Sequence, residues 1–256
     1  MAQRSRIPSW MATLGEGLLH WAFPDACLNC EAPLGFSPSL CPGCWEGIQT
    51  WGRLQDGVLD PVSPMATRAA TRYIGAAREA ILAMKLDARP GLSRRLADLI
   101  ADITPALYDW REYSALIPIP SHRVRRAERG FSPTQLLAKR LGKRVGLPVQ
   151  SNWLRRVKAT KPLSRLEGPD ARRLEVRGAF RCASIPELWR DRPALLLDDI
   201  VTTGATTAEA ARVLGEAGLA RVDVVCVART IPDPPDPDDE ESGPGDADDS
   251  APHVIP

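Results

Sequence analysis

The chain lacks any run approaching the roughly 18 uninterrupted apolar residues of a membrane-spanning helix. Its opening segment, MAQRSRIPSWMATLGEGLLHWAF, starts with arginines as an export signal would, but Glu16 and His20 break its apolar part. It runs into cysteines instead of a small-residue cleavage site. The expectation is a cytoplasmic protein in which 1–23 holds a short amphipathic helix, Trp10 to Phe23, packed on the body or on a partner. The last 26 residues contain no Lys or Arg and nine acidic residues. Too polar and too rich in proline to bury a core, 231–256 is expected to be a disordered acidic tail. Residues 24–52 show little hydrophobic periodicity, which excludes an independent apolar core there.

What is present is more basic than the net charge of +1 suggests. Outside the tail 33 Lys and Arg face 23 acidic residues, and from His122 to Arg181 seventeen basic residues face four acidic ones. Such density favours partners that carry phosphate, without deciding between a nucleotide and a nucleic acid. Aromatics for stacking bases are sparse in this region, chiefly Phe131, Trp153 and Phe180.

AAREAILAMKL and LSRRLADLIADITPAL carry apolar residues at helical spacing, so 60–112 is expected to be a helical connecting segment. From residue 113 strands and helices alternate. YSALIPIP reads as a strand, and SPTQLLAKRLGKRVG as a helix with Ser132 before it and Pro133 in its first turn. PALLLDDI reads as a buried strand, ATTAEAARVLGEAG as a helix closed by Gly218, and RVDVVCVAR as a further strand. That order predicts an α/β domain over 113–230, a parallel sheet with helices on both faces.

Cys27 and Cys30 form one C-x-x-C and Cys41 and Cys44 another, with turn-forming residues around each. Four thiolates so spaced suit a tetrahedral, structural Zn²⁺ with no open position; two disulfides or a redox pair are the alternatives. Cys182 and Cys226 stand alone and read as core residues.

LLLDDIVTTGATT, residues 195 to 207, places two carboxylates at the end of an apolar strand. A loop of threonines and one glycine then enters a helix. Ligands of open α/β sheets bind outside the carboxyl ends of the strands, and backbone amides at a helix N-terminus form a phosphate site. Carboxylates repel phosphate, but they suit hydroxyls or a divalent cation beside it. A sugar phosphate satisfies both, with its diol on Asp198 and Asp199. An N-capped helix after an acidic turn is the plainer alternative.

Ala194 to Thr206 resembles the phosphoribosyl-diphosphate motif of type I phosphoribosyltransferases. IPIPSHRVRRAERGFSPTQLLAKRL, LSRLEGPDARRLEVRGAF and the preceding cysteine pairs resemble the ComF family over about residues 18 to 230. The resemblance implies a type I phosphoribosyltransferase-like fold behind a zinc module. It implies that Asp198 and Asp199 face ribose and a ligand-borne Mg²⁺, and that Thr202, Thr203, Gly204, Ala205 and Thr206 hold the 5′-phosphate. Arg129 and Gly130, before Phe131, would meet the diphosphate.

Arg129 and Lys85 are the candidate catalytic cations, with Arg123, Arg125 and Arg126 near the first. His122 is a candidate for proton transfer or for a structural role. The chain departs from many relatives where it reads Thr160-Lys161-Pro162 and Glu175. Single-stranded DNA, a helicase-like competence protein and a second copy of the chain are the further partners the resemblance allows.

Overall fold

The computed structural model describes residues 26–34, 39–54, 65–86, 89–103, 109–160, 166 and 168–230. The expected helix within 1–23 and the tail 231–256 lie outside them. The elements, in chain order, are α1 (Pro42–Leu54), β1 (Thr67–Arg72), α2 (Gly75–Leu86), α3 (Leu92–Ile103), β2 (Ala115–Pro118), α4 (Arg123–Arg129), α5 (Pro133–Val145), β3 (Leu154–Arg156), α6 (Pro169–Val176), β4 (Phe180–Cys182), β5 (Pro193–Val201), α7 (Ala205–Glu216) and β6 (Arg221–Arg229).

Four strands form one sheet in the order β1-β6-β5-β2, every pair parallel. All four carboxyl ends therefore point to one rim. The two central strands, PALLLDDIV and RVDVVCVAR, are apolar on both faces, as strands covered on both sides must be. Their pleat feeds two cores. Leu195, Leu197, Val225 and Val227 pack with α2, α3 and α5, whereas Ala194, Leu196, Val224 and Cys226 pack with α7 and with the β3–β4 ribbon. The outer edge of β2 is covered by the segment around Val149: Leu116 N donates to Pro148 O and Gln150 N to Leu116 O, both at 2.9 Å.

One expectation is corrected. The segment 60–112 was expected to be helical, but Thr67–Arg72 is an edge strand paired with β6 along its length. TRAATR has too few apolar or β-branched residues to signal a strand. Its Thr67, Ala69, Ala70 and Thr71 are buried because the neighbouring elements cover them.

β3 and β4 form a separate antiparallel ribbon. Its base is tied to α7 through Glu209, whose Oε1 accepts the Gly178 amide at 2.8 Å and whose carboxylate meets Arg212 at 2.8–2.9 Å. The cysteine-rich segment shares the first core: Cys27, Leu34, Leu40, Trp45 and Ile48 pack in one cluster with Ala76, Ala77, Ala80 and Ile81 of α2.

Candidate functional site

Strand β5 carries Asp198 and Asp199 to the rim. Asp198 Oδ1 accepts the Asp199 amide at 2.9 Å, and Asp199 Oδ1 accepts the Ile200 amide at 2.8 Å. Two residues beyond Leu197, Asp199 also meets Lys85 from the last turn of α2, with Nζ 2.7 Å from Oδ1. Burial, and then the Asp199 charge, push the Asp198 carboxyl well above the ordinary range; Lys85 opposes this only in part.

Beyond β5 the chain turns through Thr202 and Thr203 into α7. Gly204, at φ 73°, is the N-cap in a left-handed conformation that a side chain would strain. The amides of the first turn have no acceptor within the helix. They face a hollow of about 100 Å³ lined by Asp198, Thr202, Gly204, Ala205, Thr206 and Thr207. Thr207 Oγ1 donates to Gly204 O at 2.8 Å, fixing the turn. Thr203 Oγ1 is buried with no hydrogen-bond partner among the described residues, and Thr203 lines neither this hollow nor the larger cavity beside it.

Beside this hollow lies a larger cavity of about 510 Å³. One wall holds Lys85, Asp198, Asp199 and Thr206. A second comes from the segment between β2 and α5, including Ser121, His122, Val124 and Arg129, and a third from Arg156, Ala159 and Thr160. The second wall is pinned by Thr134, whose hydroxyl donates to Ile119 O at 2.7 Å. His122 acts structurally there, its Nδ1 accepting the Val124 amide at 3.4 Å as the N-cap of α4. Arg129 ends that helix, part-buried, with no hydrogen bond or ion pair to another described residue. Its charge is therefore available to a ligand.

The structure brings Lys85, Arg129, Asp198, Asp199 and Thr206 into one cavity. Thr202, Gly204 and Ala205 line the smaller hollow beside it. Gly130 caps α4 and lies outside both linings, so the loop presents the arginine and not the glycine. Sequence reasoning missed Arg156, Ser121 and Thr134. Arg156 was one of seventeen basic residues with nothing to mark it; only the three-residue strand β3 turns it inward.

The four cysteines cluster as their spacing suggests. Their sulfurs lie within 4.8 Å of one another, and the group could hold a zinc ion. Glu31 and Ser39, at φ 60° and 80°, supply the tight turns. Asn29 Nδ2 donates to Cys44 Sγ at 3.3 Å, and the Cys41 amide to Cys27 Sγ at 3.3 Å. Burial raises the Cys27 thiol, but amides from Cys41, Asn29 and Cys30 outweigh it and bring it down to about 6. Burial and the other three sulfurs, against Asn29, push Cys44 up to about 12. A cation among the sulfurs removes that conflict, which is what such a donor set fits. Cys226 is buried in β6, Cys182 lies part-buried on β4, and neither joins this cluster. Among the described residues no helix is long and apolar enough to cross a membrane.

No family model matches the chain. It is 32% identical over 208 residues to Competence protein F of Haemophilus influenzae, covering 79% of this chain and 84% of that one. It is 26% identical over 238 residues to the DNA utilization protein YhgH of Salmonella typhi, and 27% over 241 residues to that of Escherichia coli K12, covering in both cases 87% of this chain and 96% of the relative. Solved structures give fainter likenesses. The allosteric regulatory enzyme of purine biosynthesis superposes with a TM-score of 0.33 at 15% identity over 52% of this chain, which spans a quarter (25%) of that enzyme. The hypoxanthine-guanine phosphoribosyltransferase of L. donovani gives 0.28 at 15%, over 59% of this chain and 71% of that one.

Proposed function

The chain belongs to the ComF family, and from that premise we propose that its rim site binds phosphoribosyl diphosphate and transfers the phosphoribosyl group to an acceptor. The observation that carries this reading is the division of labour along ten residues, Asp198 to Thr207. Carboxylates suited to a diol stand beside a hollow at the first turn of α7 suited to a phosphate, lined by Thr202, Gly204, Ala205, Thr206 and Thr207. In this reading the 5′-phosphate sits over the first turn of α7 and the ribose hydroxyls donate to Asp198 and Asp199. The diphosphate lies toward Arg129.

Lys85 already occupies Asp199, so the pair suits a Mg²⁺ carried in by the ligand's own oxygens, held here chiefly through Asp198. Such an ion would supply charge neutralisation at the departing diphosphate. The acceptor's nucleophilic atom bonds C1 of the ribose, the C1–O bond breaks, and pyrophosphate leaves with the electron pair. The acceptor's proton passes to water. Arg129 meets the charge growing on the leaving group, while the walls hold donor and acceptor in line. The four-cysteine site is structural in this scheme: all four positions are protein ligands, leaving none for substrate.

The test is calorimetry with phosphoribosyl diphosphate and Mg²⁺, followed by a pyrophosphate-release screen across acceptors. Saturable binding supports the site, turnover supports transfer, and the absence of binding by the wild type overturns the reading.

A second reading, binding of single-stranded DNA as a cytoplasmic competence factor beside a helicase-like partner, is favoured by one observation. Arg155 and Arg181 are direct cross-strand partners on β3 and β4, both exposed, with no ion-pair partner among the described residues. Like charges so placed destabilise a ribbon, and a phosphate backbone relieves them. The name of the YhgH relatives, DNA utilization protein, points to DNA as well. Oligonucleotide affinity should then fall steeply with salt and should weaken in Arg181→Glu; indifference to both excludes it.

A further inference from the structure

The β3–β4 ribbon has two faces. Arg155 and Arg181 point outward, while Arg156 points into the large cavity. There its guanidinium carbon stands 5.3 Å over the ring of Phe180, and its Nη2 donates to Thr160 Oγ1. Both Arg156 and Thr160 line the cavity. A charge turned inward, stacked and tied by a hydrogen bond is a preorganised donor rather than a solvated surface group.

We propose that Arg156, with Thr160, forms an anion subsite that receives a carboxylate on the acceptor molecule, so that the acceptor is a carboxylated compound and not a neutral base. This rests on the phosphoribosyl reading of the rim. The phosphoribosyl ligand has its own partners: the α7 amides for its phosphate, the aspartates for its hydroxyls, and Arg129 for its diphosphate. Lys85 is spent on Asp199. The Arg156 charge on the opposite wall is one that this ligand does not need.

The character of that wall narrows the class. The side chains on that wall, Arg156 and Thr160, offer N–H and O–H donors, and among the described residues the cavity's carboxylate besides the aspartate pair is Glu128, on α4 of the second wall. Reading a purine or pyrimidine edge takes acceptors as well as donors, and its face takes an aromatic ring. No Phe, Tyr or Trp among the described residues lines the cavity, the His122 ring that does is held as the N-cap of α4, and the Phe180 ring is covered by Arg156 itself. One guanidinium and one hydroxyl, without a second cation or a helix terminus, match a singly charged carboxylate better than a doubly charged phosphate monoester.

The test is calorimetry on the full chain, loaded first with ribose 5-phosphate as an unreactive stand-in for the donor and then titrated with matched probes. Benzoate and orotate should bind about 10- to 100-fold more tightly than benzamide and uracil. Arg156→Gln should erase that difference and leave the affinity for ribose 5-phosphate within about twofold, and Arg156→Lys should restore part of it. Equal or absent binding of the carboxylated probes overturns the subsite, and so does phenyl phosphate binding more tightly than benzoate. If ribose 5-phosphate binds and the probes do not discriminate, the subsite alone falls. If ribose 5-phosphate does not bind either, the rim reading falls with it.

Discussion

Lys85, from the last turn of α2, holds its ammonium 2.7 Å from a carboxylate oxygen of Asp199, and the two side chains are only 21% and 10% exposed. The pair joins two elements far apart in sequence and supplies the counter-charge that lets an acidic residue stand almost buried at the rim. It also makes Lys85 part of the site and not merely the end of a helix.

Replacing Lys85 by Met keeps the bulk and leaves Asp199 without its cation. Breaking a fully buried pair costs about 3–5 kcal/mol; water in the adjoining cavity screens this one, so a loss of about 1–3 kcal/mol is expected in denaturant unfolding. The double variant Lys85→Met/Asp199→Asn should recover most of it, because no bare charge is left behind. Additive losses would show that the pair does not couple.

Asp198 carries the opposite expectation. Burial and Asp199 raise its carboxyl, so the folded chain binds a proton there more readily than the unfolded one does. Stability is therefore favoured below the unfolded value and falls as pH rises toward the raised folded value. Asp198→Asn should accordingly melt above the wild type at pH 7 in the absence of ligand, by about 2–4 °C for each kcal/mol relieved. The gain should vanish in acid, and binding of phosphoribosyl diphosphate should fall by at least about 100-fold when Asp199→Asn is added. A variant that is both less stable and still binds contradicts this assignment.

Metal analysis of protein purified without chelator should find about one zinc per chain. Removing it should lower the melting temperature of the whole unit, because Cys27, Leu34 and Leu40 share a core with α2. A fully folded metal-free preparation with an unchanged melting temperature contradicts a structural zinc.

Glu209 links the ribbon to α7, and Arg212 first, with the Gly178 amide, holds its carboxyl below the ordinary range despite burial. Its contribution is present above the unfolded value, about 4.3, and is lost as pH falls through the lower folded value. The stability difference between wild type and Glu209→Gln should therefore be largest near neutrality, about 1 kcal/mol, and should shrink toward pH 3. A difference that stays constant with pH assigns the effect to shape alone.

Much of this was legible in the sequence, for physical reasons that differ by element. β5 and β6 announce themselves because a strand buried on both faces must be apolar at successive positions, and α7 because Gly204 and the threonines precede a clear helical period. The acidic pair and the cysteine spacing are chemistry written locally. β1 was not legible: its burial comes from β6 and the helices above it, not from TRAATR. Arg156 was hidden for a similar reason, since the direction of its side chain depends on a three-residue strand whose partner, β4, lies more than twenty residues on. The pairing of Lys85 with Asp199 is purely tertiary, and only the position of each near an element's end hinted at it.

The strand order carries a consequence for how the protein comes into being. Every pairing in the main sheet involves β5 or β6. β1 and β2 are made early, but they stand on opposite edges and never touch as strands. A ribosome that has passed residue 192 has thus produced most of the helices and none of the strand pairings of the sheet they cover. At about 5–20 residues per second, the apolar faces that α2, α3 and α5 turn to the sheet wait uncovered for seconds until the last two strands emerge and close the domain together. Premature stops before β6 should therefore yield aggregates rather than a smaller folded protein.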